Sequence, residues 1–553
     1  MTRLPNNNQL ESDYRINFFR KPALQFSVVL LLFVTAFAVR LYHIDRPPYD
    51  FATLRQYQSA HIARAYYFDS LKSLPEWKRT VAKLNLKRMG LLLEPRILEN
   101  MTVIGYRLTG GEHLWIPRAL SSIFWMIGGI FLYLTSRKII SPEAAFFSTA
   151  FYLLFPFSIS ASRSFQPDPL MIMLLLISVF LVVRYYDHPT SANVIGAALV
   201  TALAVLAKPY SLFFIFGAFV SVGIFKHGLR KALFGFHFIL FSVLSLIPAC
   251  FYYVYGILTN VGYLNELAQG SFLPHLILKS YFWKDWLSLI GNVVGYIAFA
   301  AALTGFLTMK RGLSKAFLSG LWAGYLIFGL FFTLHIHTHD YYHLPLIPIV
   351  AFSLGSVAVR AMKFLYRNWK ISLLTFLGLV CATGIIVANR NLRSFISKKD
   401  LQIIAKFVGV SQHSKDFIVG DFSREVKMAK EIGDLVGHST NTVLLTHHFG
   451  RALAYNGELS GLPWPTSFSL QERRERGLKD LSDDELFNLR YFTIRTHGKY
   501  IRYVPDFFII TDFDDWERQK NLRDFLSSNF PVLARTDDYL IFDTRKMSGN
   551  KAH

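Results

Sequence analysis

Apolar stretches of about 20 residues, the length that a helix needs to cross the hydrocarbon core of a bilayer, recur along most of the chain, and the two stretches on either side of Lys208 are shorter. Only helices and closed barrels satisfy their backbone hydrogen bonds in lipid, so this pattern predicts a polytopic α-helical membrane protein. We count about eleven such stretches, at residues 23–42, 119–135, 144–161, 170–186, 194–207, 210–225, 233–255, 287–309, 316–334, 342–359 and 371–388.

The composition agrees with a protein that has lipid as its main solvent. Of the 553 residues, 52% are hydrophobic and 16% are aromatic. The net charge of +22 would suit nucleic acid, but the basic residues lie between and beside the apolar stretches. That distribution favours anionic lipid headgroups, so membrane lipids are the expected partner and nucleic acid is not. Cys250 and Cys381 lie inside apolar stretches and give no information on redox compartment.

The distribution of basic residues also predicts an orientation. Arg15, Arg20 and Lys21 precede the first apolar stretch, and cytoplasmic loops of membrane proteins are enriched in such residues. With the N-terminus cytoplasmic, the basic loops near 137–138, 226–231, 310–315 and 360–370 fall on the same side. We therefore expect an integral protein of the inner or plasma membrane whose C-terminal segment is extracytoplasmic.

Two domains are expected. Residues 1–389 form the transmembrane domain, with a long first extracytoplasmic loop at 42–118. Residues 390–553 change character, because the short apolar runs "DFIVG", "NTVLLT", "DFFIIT" and "YLIFDT" alternate with polar helical stretches at 423–437 and 517–530. Such alternation predicts a soluble, extracytoplasmic C-terminal α/β domain.

In this topology the polar clusters capable of chemistry fall on the extracytoplasmic side. They are "YDFATLRQYQSAHIAR" (49–64), "ASRSFQPDPL" (161–170), "LAKPYSLF" (206–213) and "HIHTHDYYHLPLIP" (335–348). Amphipathic pieces at 60–68 and 75–86 are expected to lie as interfacial helices. The concentration on one face indicates a functional site at that membrane surface.

The first of these clusters carries a family resemblance. The pattern Asp50-x4-Arg55-Gln56-x-Gln58, followed by residues 62–64, resembles the first-loop signature of GT-C fold, polyprenyl-phosphate-dependent glycosyltransferases. The nearest groups are the protein mannosyltransferase-like enzymes and the aminoarabinose or galacturonate lipid A transferase-like enzymes. "RSFQPDPLM", "LAKP" and "HDYYHLPLIP" follow in matching order, and the resemblance covers residues 23–359.

The resemblance implies an enzyme that moves a hexose or pentose from a polyprenyl-phosphate carrier to a glycolipid, glycan or protein. It implies a single inverting displacement with no required metal or cofactor. Many relatives carry an Asp-Glu pair where this chain has Arg55-Gln56, so the subgroup pattern places the catalytic carboxylate at Asp50.

The chemistry needs the same residue types independently of the family. A base must accept a proton from the acceptor hydroxyl, and cations must stabilise charge on the leaving phosphate. Asp50 is the expected base. The expected phosphate ligands are Arg55, Arg163, Lys208, His339 and Tyr342, and further active-site candidates are Gln56, Glu94, Asp168 and His343.

Ordinary structural roles compete with these assignments. Asp50 follows two prolines, which is typical of a residue in a turn. Asp45 is the nearby alternative for the base. Asp168 suits a helix N-terminus, while Lys208 suits a lysine whose ammonium reaches the interface. Glu94 before a proline suits a helix start signal.

The histidines could also have purely structural roles. His61 and Arg64 suit the polar face of an interfacial helix. His335, His339 and His343 recur every fourth residue and would share one helical face. A zinc site is conceivable there, but packing around a lipid phosphate is preferred.

Three other function classes compete. A lipid or polysaccharide transporter would place charges along a path through the bilayer, and an oligosaccharyltransferase-like enzyme would show paired acidic metal ligands. A purely structural membrane protein is the third. The one-sided clustering of the polar motifs favours the glycosyltransferase.

Overall fold

The computed structural model describes residues 22–88, 94–259, 271–367, 406–475, 494–496, 499–501 and 505–545. Two compact units divide the chain. The first, here called the helical unit, comprises Met1–Ile44, Ala119–Arg163 and Pro167–Ile418. The second, here called the mixed unit, comprises Asp45–Arg118, Ser164–Gln166 and Val419–His553. The predicted domain boundary between 389 and 390 lies outside the described residues.

Helices make up most of the described chain. In chain order the α-helices are Pro22–Leu41, Thr53–Asp69, Glu76–Arg88, Ile97–Thr109, Trp115–Ile139, Pro142–Leu154, Pro156–Ser162, Asp168–Asp187, Ser191–Ala207, Ser211–His227, Leu229–Phe234, Phe236–Leu258, Ser280–Val294, Tyr296–Leu307, Leu313–Phe331, Thr333–Thr338, Leu346–Arg367, Gln412–Val419, Ser423–Leu435, Arg451–Asn456, Ser467–Glu475, Phe513–Arg518 and Lys520–Asn529. Short 3-10 helices cover Pro274–Leu278, Asp340–His343 and His447–Gly450.

The predicted helical membrane protein is confirmed, but the number of spans is not. Among the described residues, five helices are long and apolar enough to cross a bilayer: Pro22–Leu41, Trp115–Ile139, Asp168–Asp187, Leu229–Leu258 and Leu313–Phe331. Two bent pairs, Pro142–Leu154 with Pro156–Ser162 and Ser280–Val294 with Tyr296–Leu307, raise the number to as many as seven.

The described residues give fewer spans than the predicted eleven or so, mainly because several of the apolar helices are short. Ser191–Ala207 and Ser211–His227 have 17 residues each, which corresponds to a rise of about 26 Å. That is shorter than the roughly 30 Å hydrocarbon core. Leu346–Met362 is another short apolar helix, and the predicted span at 371–388 lies outside the described residues.

Glycines bring two helices of the helical unit into backbone contact. A Cβ atom placed on Gly217 would lie 2.3 Å from the Gly320 carbonyl oxygen, and one on Gly320 would lie 2.1 Å from the Gly217 carbonyl oxygen. Small residues at such crossings let helices approach closely in membranes, where the hydrophobic effect does not drive helix association. The helices Ser211–His227 and Leu313–Phe331 therefore pack through these two positions.

The mixed unit contains a five-stranded sheet. Its strands are β1 (Thr442–Leu445), β2 (Gly461–Pro463), β5 (Phe507–Ile510), β6 (Val532–Arg535) and β7 (Leu540–Asp543), in the order β2-β1-β5-β7-β6. β1 is parallel to β2 and β5, whereas β7 is antiparallel to β5 and β6. Strands β3 (Ile494–Thr496) and β4 (Lys499–Ile501) form a separate antiparallel pair.

Every residue of β1, β5 and β7 is buried, whereas β6 at the sheet edge is mostly exposed. Strands covered on both faces have continuous apolar sequences instead of alternating ones. The runs "NTVLLT", "DFFIIT" and "YLIFDT" do form β1, β5 and β7 as predicted. The run "DFIVG" does not form a strand, because its first four residues belong to the helix Gln412–Val419. The Ser411 hydroxyl precedes this helix and accepts a hydrogen bond from the Ser414 amide at 3.4 Å.

One expectation for the first loop is wrong. The helix Thr53–Asp69 buries 13 of its 17 residues, including His61. An interfacial helix would leave its polar face in contact with water. Residues 60–68 are therefore core of the mixed unit, where their polar side chains need internal partners.

Candidate active site

Asp50 lies in the mixed unit and is 5% exposed. Its Oδ2 accepts a hydrogen bond from Nη2 of Arg118, a fully buried residue in the first turn of the helix Trp115–Ile139. Arg118 Nη1 also donates to the Arg46 carbonyl oxygen at 2.8 Å. One guanidinium therefore holds both the carboxylate of Asp50 and the backbone of the loop that carries it.

Gln56 connects the same loop to the second sequence motif. Its Nε2 donates to the Phe51 carbonyl oxygen at 2.5 Å and lies 3.5 Å from Asp50 Oδ1. Its Oε1 accepts a hydrogen bond from the Phe165 amide at 2.9 Å. Because Gln56 is completely buried, these contacts connect the Asp50 loop to the backbone of Phe165.

The backbone beside Asp50 is strained. Ala52, at the start of the helix Thr53–Asp69, has φ 41° and ψ 50°, in the left-handed region. Residues with a Cβ atom adopt this region at a cost, and such outliers cluster at functional sites. The surrounding structure maintains this unfavourable conformation at Ala52. The turn next to the Asp50 loop is therefore a fixed feature of the fold.

Arg55 is paired with Glu94. Arg55 Nη2 lies 2.9 and 3.0 Å from the two Glu94 carboxylate oxygens, and Nη1 donates to Gln58 Oε1 at 3.0 Å. Gln58 Oε1 also accepts from Arg451 Nη1 at 2.7 Å. Arg55 and Glu94 were predicted as a phosphate ligand and a second carboxylate, and here they form a nearly buried ion pair. Their predicted roles stay predictions.

His61 and Arg64 lie in a buried polar network of the mixed unit. His61 is 1% exposed and its Nε2 lies 2.9 Å from the Arg451 carbonyl oxygen. Burial, together with the positive charge of Arg64, lowers the pKa of His61 to about 3. Arg64 lies 3.0 Å from both Glu112 carboxylate oxygens and stacks 3.4 Å from the ring centre of Tyr455. His61 is therefore a neutral core histidine at physiological pH.

Glu99 is another buried acid near this network. Burial raises its pKa, although the Ser59 hydroxyl donates to Glu99 Oε1 at 2.7 Å. The sequence patterns did not single out this residue.

A second group of predicted residues meets in the helical unit. Asp168 is completely buried, and its Oδ1 accepts a hydrogen bond from the Tyr210 hydroxyl at 2.7 Å. Lys208 Nζ lies 3.5 Å from Asp168 Oδ2. The lysine is 4% exposed and lies 5.9 Å from the ring centres of Tyr341 and Tyr342. A buried ammonium in a membrane protein requires such partners.

The aromatic side of this cluster is formed by the histidine motif. His335 stacks on Tyr342 with ring centres 4.7 Å apart, and His339 lies 5.9 Å from the same ring. Tyr210 contacts Tyr342 at 5.4 Å. Lys208, Asp168, His339 and Tyr342 are thus brought together, as the motifs suggested.

The expected common helical face of the three histidines is wrong. The helix Thr333–Thr338 ends before His339, and a 3-10 turn follows at Asp340–His343. His343 points into packing, since its Nδ1 lies 2.7 Å from the Tyr325 hydroxyl and its Nε2 lies 2.8 Å from the Ile336 carbonyl oxygen. Among the described residues, no three His, Cys, Asp or Glu side chains are grouped as a metal site.

Arg163 is held by the loop that follows the first span. Its two terminal nitrogens donate to the Tyr42 and His43 carbonyl oxygens at 2.6 Å each, and its guanidinium lies 4.9 Å from the Phe417 ring centre. Its predicted role as a phosphate ligand stays a prediction.

The sequence interpretation missed Arg118 and Tyr210. Arg118 directly precedes an apolar stretch, and Tyr210 lies two residues after Lys208. Both look like ordinary interface residues in sequence, and only their contacts with Asp50 and Asp168 distinguish them.

Comparisons with known proteins concern the fold of the chain. Residues 95–254 match the family described as dolichyl-phosphate-mannose-protein mannosyltransferase. The fold is similar to the crystal structure of ArnT from Cupriavidus metallidurans in the apo state, with a TM-score of 0.57, 16% identity, and coverage of 94% of this chain and 98% of that chain. ArnT from the same organism bound to undecaprenyl phosphate gives a TM-score of 0.53, 14% identity and the coverage values 94% and 98%.

An Archaeoglobus fulgidus oligosaccharyltransferase in the apo form is more distant, with a TM-score of 0.42, 13% identity, and coverage of 81% of this chain and 65% of that chain. No curated protein sequence matches the chain. The resemblance found in the sequence motifs is therefore confirmed, and the chain is a membrane protein with the fold of the GT-C glycosyltransferases.

Proposed function

We propose that the protein transfers a sugar from a polyprenyl-phosphate carrier to an acceptor on the extracytoplasmic face of the membrane. The observation that carries this proposal is the Asp50 carboxylate, nearly buried and held in one orientation by Arg118 and Gln56. Transfer of a sugar from a phosphate to a hydroxyl group is assisted by a positioned base of this kind, which takes the hydroxyl proton. The GT-C fold and the mannosyltransferase match supply the reaction class.

In the proposed step, the acceptor hydroxyl oxygen attacks the anomeric carbon of the donor sugar. The bond between that carbon and the phosphate oxygen breaks, and the electron pair leaves with the lipid phosphate. Asp50 takes the hydroxyl proton, so the carboxylate is neutralised while the phosphate gains charge. Arg118 and Gln56 do not react and act by orienting the base.

Lys208 is the proposed ligand of the donor phosphate. It is a nearly buried cation, flanked by Asp168 and by tyrosine rings that hold its Nζ in place. Asp168 and the rings keep the ammonium buried and in a fixed position, and a phosphate would add two or more acceptor oxygens that can bind it by charge-assisted hydrogen bonds. His339 and Tyr342, which lie against one another, complete this donor group in the proposal.

Relatives support the class of donor. ArnT of the same fold has been crystallised with undecaprenyl phosphate, and the matched family is named for dolichyl-phosphate-mannose. Both are polyprenyl phosphates, so that chemistry is proposed for the donor of this protein. The transporter and oligosaccharyltransferase alternatives are not favoured.

The direct test is an assay of the purified protein with radiolabelled polyprenyl-phosphate sugars and native membranes as the source of acceptor. We expect label from at least one donor to enter the membrane fraction, and Asp50→Asn to prevent it. Asp45→Asn is the matched control, because Asp45 is exposed in the same loop region. Absence of transfer from every donor would contradict the proposal.

The orientation is part of the same proposal. Cytoplasmic placement of the N-terminus and extracytoplasmic placement of the C-terminal segment follow from the basic loops. A topology reporter fused after residue 390 should be active outside the cytoplasm. If a reporter that works only in the cytoplasm is active at that site, the proposed orientation is wrong and the acceptor cannot be placed on the extracytoplasmic side.

A further inference from the structure

A cavity of about 350 Å³ lies in the mixed unit at the carboxyl ends of β1 and β5. Thr446 and His447 follow β1, and Asp512 lies just after β5. Side chains beyond the carboxyl ends of parallel strands form ligand crevices in many α/β proteins. Asp50 and Lys208, the groups proposed to act in transfer, are not among the residues that line this cavity.

Two of the residues that line the cavity are buried polar residues. Thr446 is 2% exposed, and its hydroxyl has no hydrogen-bond partner within the protein. Asp512 is 8% exposed, and its Oδ2 lies 3.1 Å from His447 Nδ1. Burying a hydroxyl without a partner is unfavourable, so a polar group of a ligand at this position would restore the missing hydrogen bond.

The rim combines an aromatic ring with charged side chains. Phe468 is 55% exposed, and Asp514 and Arg518 are exposed beside it. An exposed aromatic face binds the apolar C–H face of a flat ligand, while carboxylates and a guanidinium bind its hydroxyl groups. This combination of donors, acceptors and an aromatic surface matches the chemistry of a sugar ring.

The charge of the lining separates a sugar from a phosphate. Asp512, Asp514 and Asp515 line the cavity with one permanently charged cation, Arg518, and with His447 and His448. Asp515 is occupied, because it accepts hydrogen bonds from the Ser467 amide at 3.0 Å and from Gln519 Nε2 at 2.9 Å. The excess of carboxylates would repel a phosphate group and attract an uncharged or amino-bearing sugar.

The loop after β1 carries unusual backbone strain. His448, Phe449 and Gly450 have φ values of 55°, 54° and 73°, so three consecutive residues are left-handed. Two of them carry a Cβ atom, for which this region is unfavourable. Strain of this kind persists where the surroundings require it and is common at ligand sites, and here it turns the loop at the edge of the cavity.

We propose that this cavity binds a single uncharged or amino-bearing sugar ring of the acceptor. The inference rests on the proposed function, because it assigns to the mixed unit the recognition of a sugar-bearing acceptor. Thr446 and Asp512 bind ring hydroxyl groups, and Phe468 stacks on the ring at the rim. The C-terminal sheet then selects the acceptor, and the chemistry of transfer takes place elsewhere in the protein.

Binding is tested on the full-length protein in lipid nanodiscs by saturation-transfer NMR. The probes are the methyl glycosides of glucose, galactose and mannose, the corresponding 2-amino sugars, and glucose 6-phosphate. We expect at least one of the first six to bind, and Phe468→Ala and Asp512→Asn each to weaken that binding at least about tenfold.

The variants are chosen to keep the fold. Phe468 is largely exposed, and Asp512 caps the helix Phe513–Arg518 by accepting from the Asp515 amide at 3.1 Å. Asparagine is as good a cap as aspartate. Asp524→Asn changes an exposed aspartate outside the cavity and should bind like the unchanged protein. The inference is wrong if none of the six sugars binds, if both cavity variants bind normally, or if glucose 6-phosphate binds more tightly than the glucoside.

Two readouts separate this inference from the proposed function. Asp50→Asn should lose transfer and retain sugar binding. Normal transfer with no sugar binding would overturn the cavity assignment alone. Sugar binding without transfer from any polyprenyl-phosphate donor would overturn the proposed function and leave a sugar-binding membrane protein.

Discussion

Arg118 and Asp50 are 68 residues apart in sequence, yet the guanidinium donates directly to the carboxylate, and both side chains are almost completely removed from solvent. The second terminal nitrogen of Arg118 binds the Arg46 carbonyl oxygen. A proposed base that lies in a loop and is held by a residue of the helix Trp115–Ile139 cannot rotate freely. The pair therefore links the geometry of the reaction to the stability of the fold.

Arg118→Gln is expected to lower both stability and turnover. Removing one partner of a buried ion pair leaves the other charge without compensation, at a cost of about 3–5 kcal/mol. Thermal unfolding in detergent should show a clear decrease, and the remaining folded protein should transfer sugar more slowly because the base is no longer oriented. The double variant Asp50→Asn with Arg118→Gln is the control and should be more stable than Arg118→Gln alone. Equal stability of the single and double variants would mean that the pair does not couple.

Gln56→Ala tests orientation without removing a charge. The variant loses the hydrogen bonds to the Phe51 carbonyl oxygen and to the Phe165 amide, each worth about 1 kcal/mol. We expect kcat to fall about tenfold with little change in the donor KM, since Gln56 touches the loop of the base. Gln412→Ala, an exposed glutamine, should behave like the unchanged protein. A change in donor KM with normal kcat would assign Gln56 to donor binding instead.

The membrane class could be predicted from sequence, because the length of an apolar stretch is a short-range property. The Arg118 contact could not, since nothing in the sequence near Asp50 indicates which distant cation reaches it. The burial of His61 was also missed. The helix Thr53–Asp69 carries polar residues all around, so it looks solvated until the surrounding chain is known.

The number of spans shows a different limit. Ser191–Ala207 is apolar enough for a membrane but ends at Lys208, and a second short helix begins at Ser211. Sequence hydropathy counts both as crossings. The break between them positions Lys208 beside Asp168, so the feature that confused the span count is also the feature that forms the proposed phosphate site.

Lys208→Gln is expected to weaken donor binding. A charge-assisted hydrogen bond to phosphate contributes about 1.5–3 kcal/mol, which corresponds to roughly 10- to 100-fold in affinity. The measurement is binding of undecaprenyl phosphate to the purified protein. Lys415→Gln, at an exposed position, is the matched control. Unchanged affinity in Lys208→Gln would exclude this lysine from the phosphate site.

His61 makes the stability of the mixed unit sensitive to acid. Its pKa is lowered from 6.5 to about 3 by burial, so the folded state resists protonation while the unfolded state accepts it. The contribution is present above pH 6.5 and is lost as the pH falls toward 3, amounting to about 1.5 kcal/mol between pH 6.5 and 5. Thermal unfolding of the wild type should therefore decline over this interval more steeply than that of His61→Gln. Parallel pH profiles would show that His61 does not titrate differently in the two states.

Replacing Asp50 by asparagine tests the central claim most directly. Asparagine preserves the size of the side chain and can accept a hydrogen bond from Arg118, but it cannot take a proton from the acceptor hydroxyl. Because it also removes the negative charge paired with the buried Arg118, thermal unfolding is measured as well and turnover is referred to the folded protein. With undecaprenyl-phosphate binding measured alongside, turnover should fall by about 10²–10⁴-fold while donor affinity is retained, and Asp45→Asn should show only a mild loss. Near-normal turnover in Asp50→Asn, with loss of turnover in Glu94→Gln or Asp168→Asn, would contradict the account and place the base at one of those carboxylates.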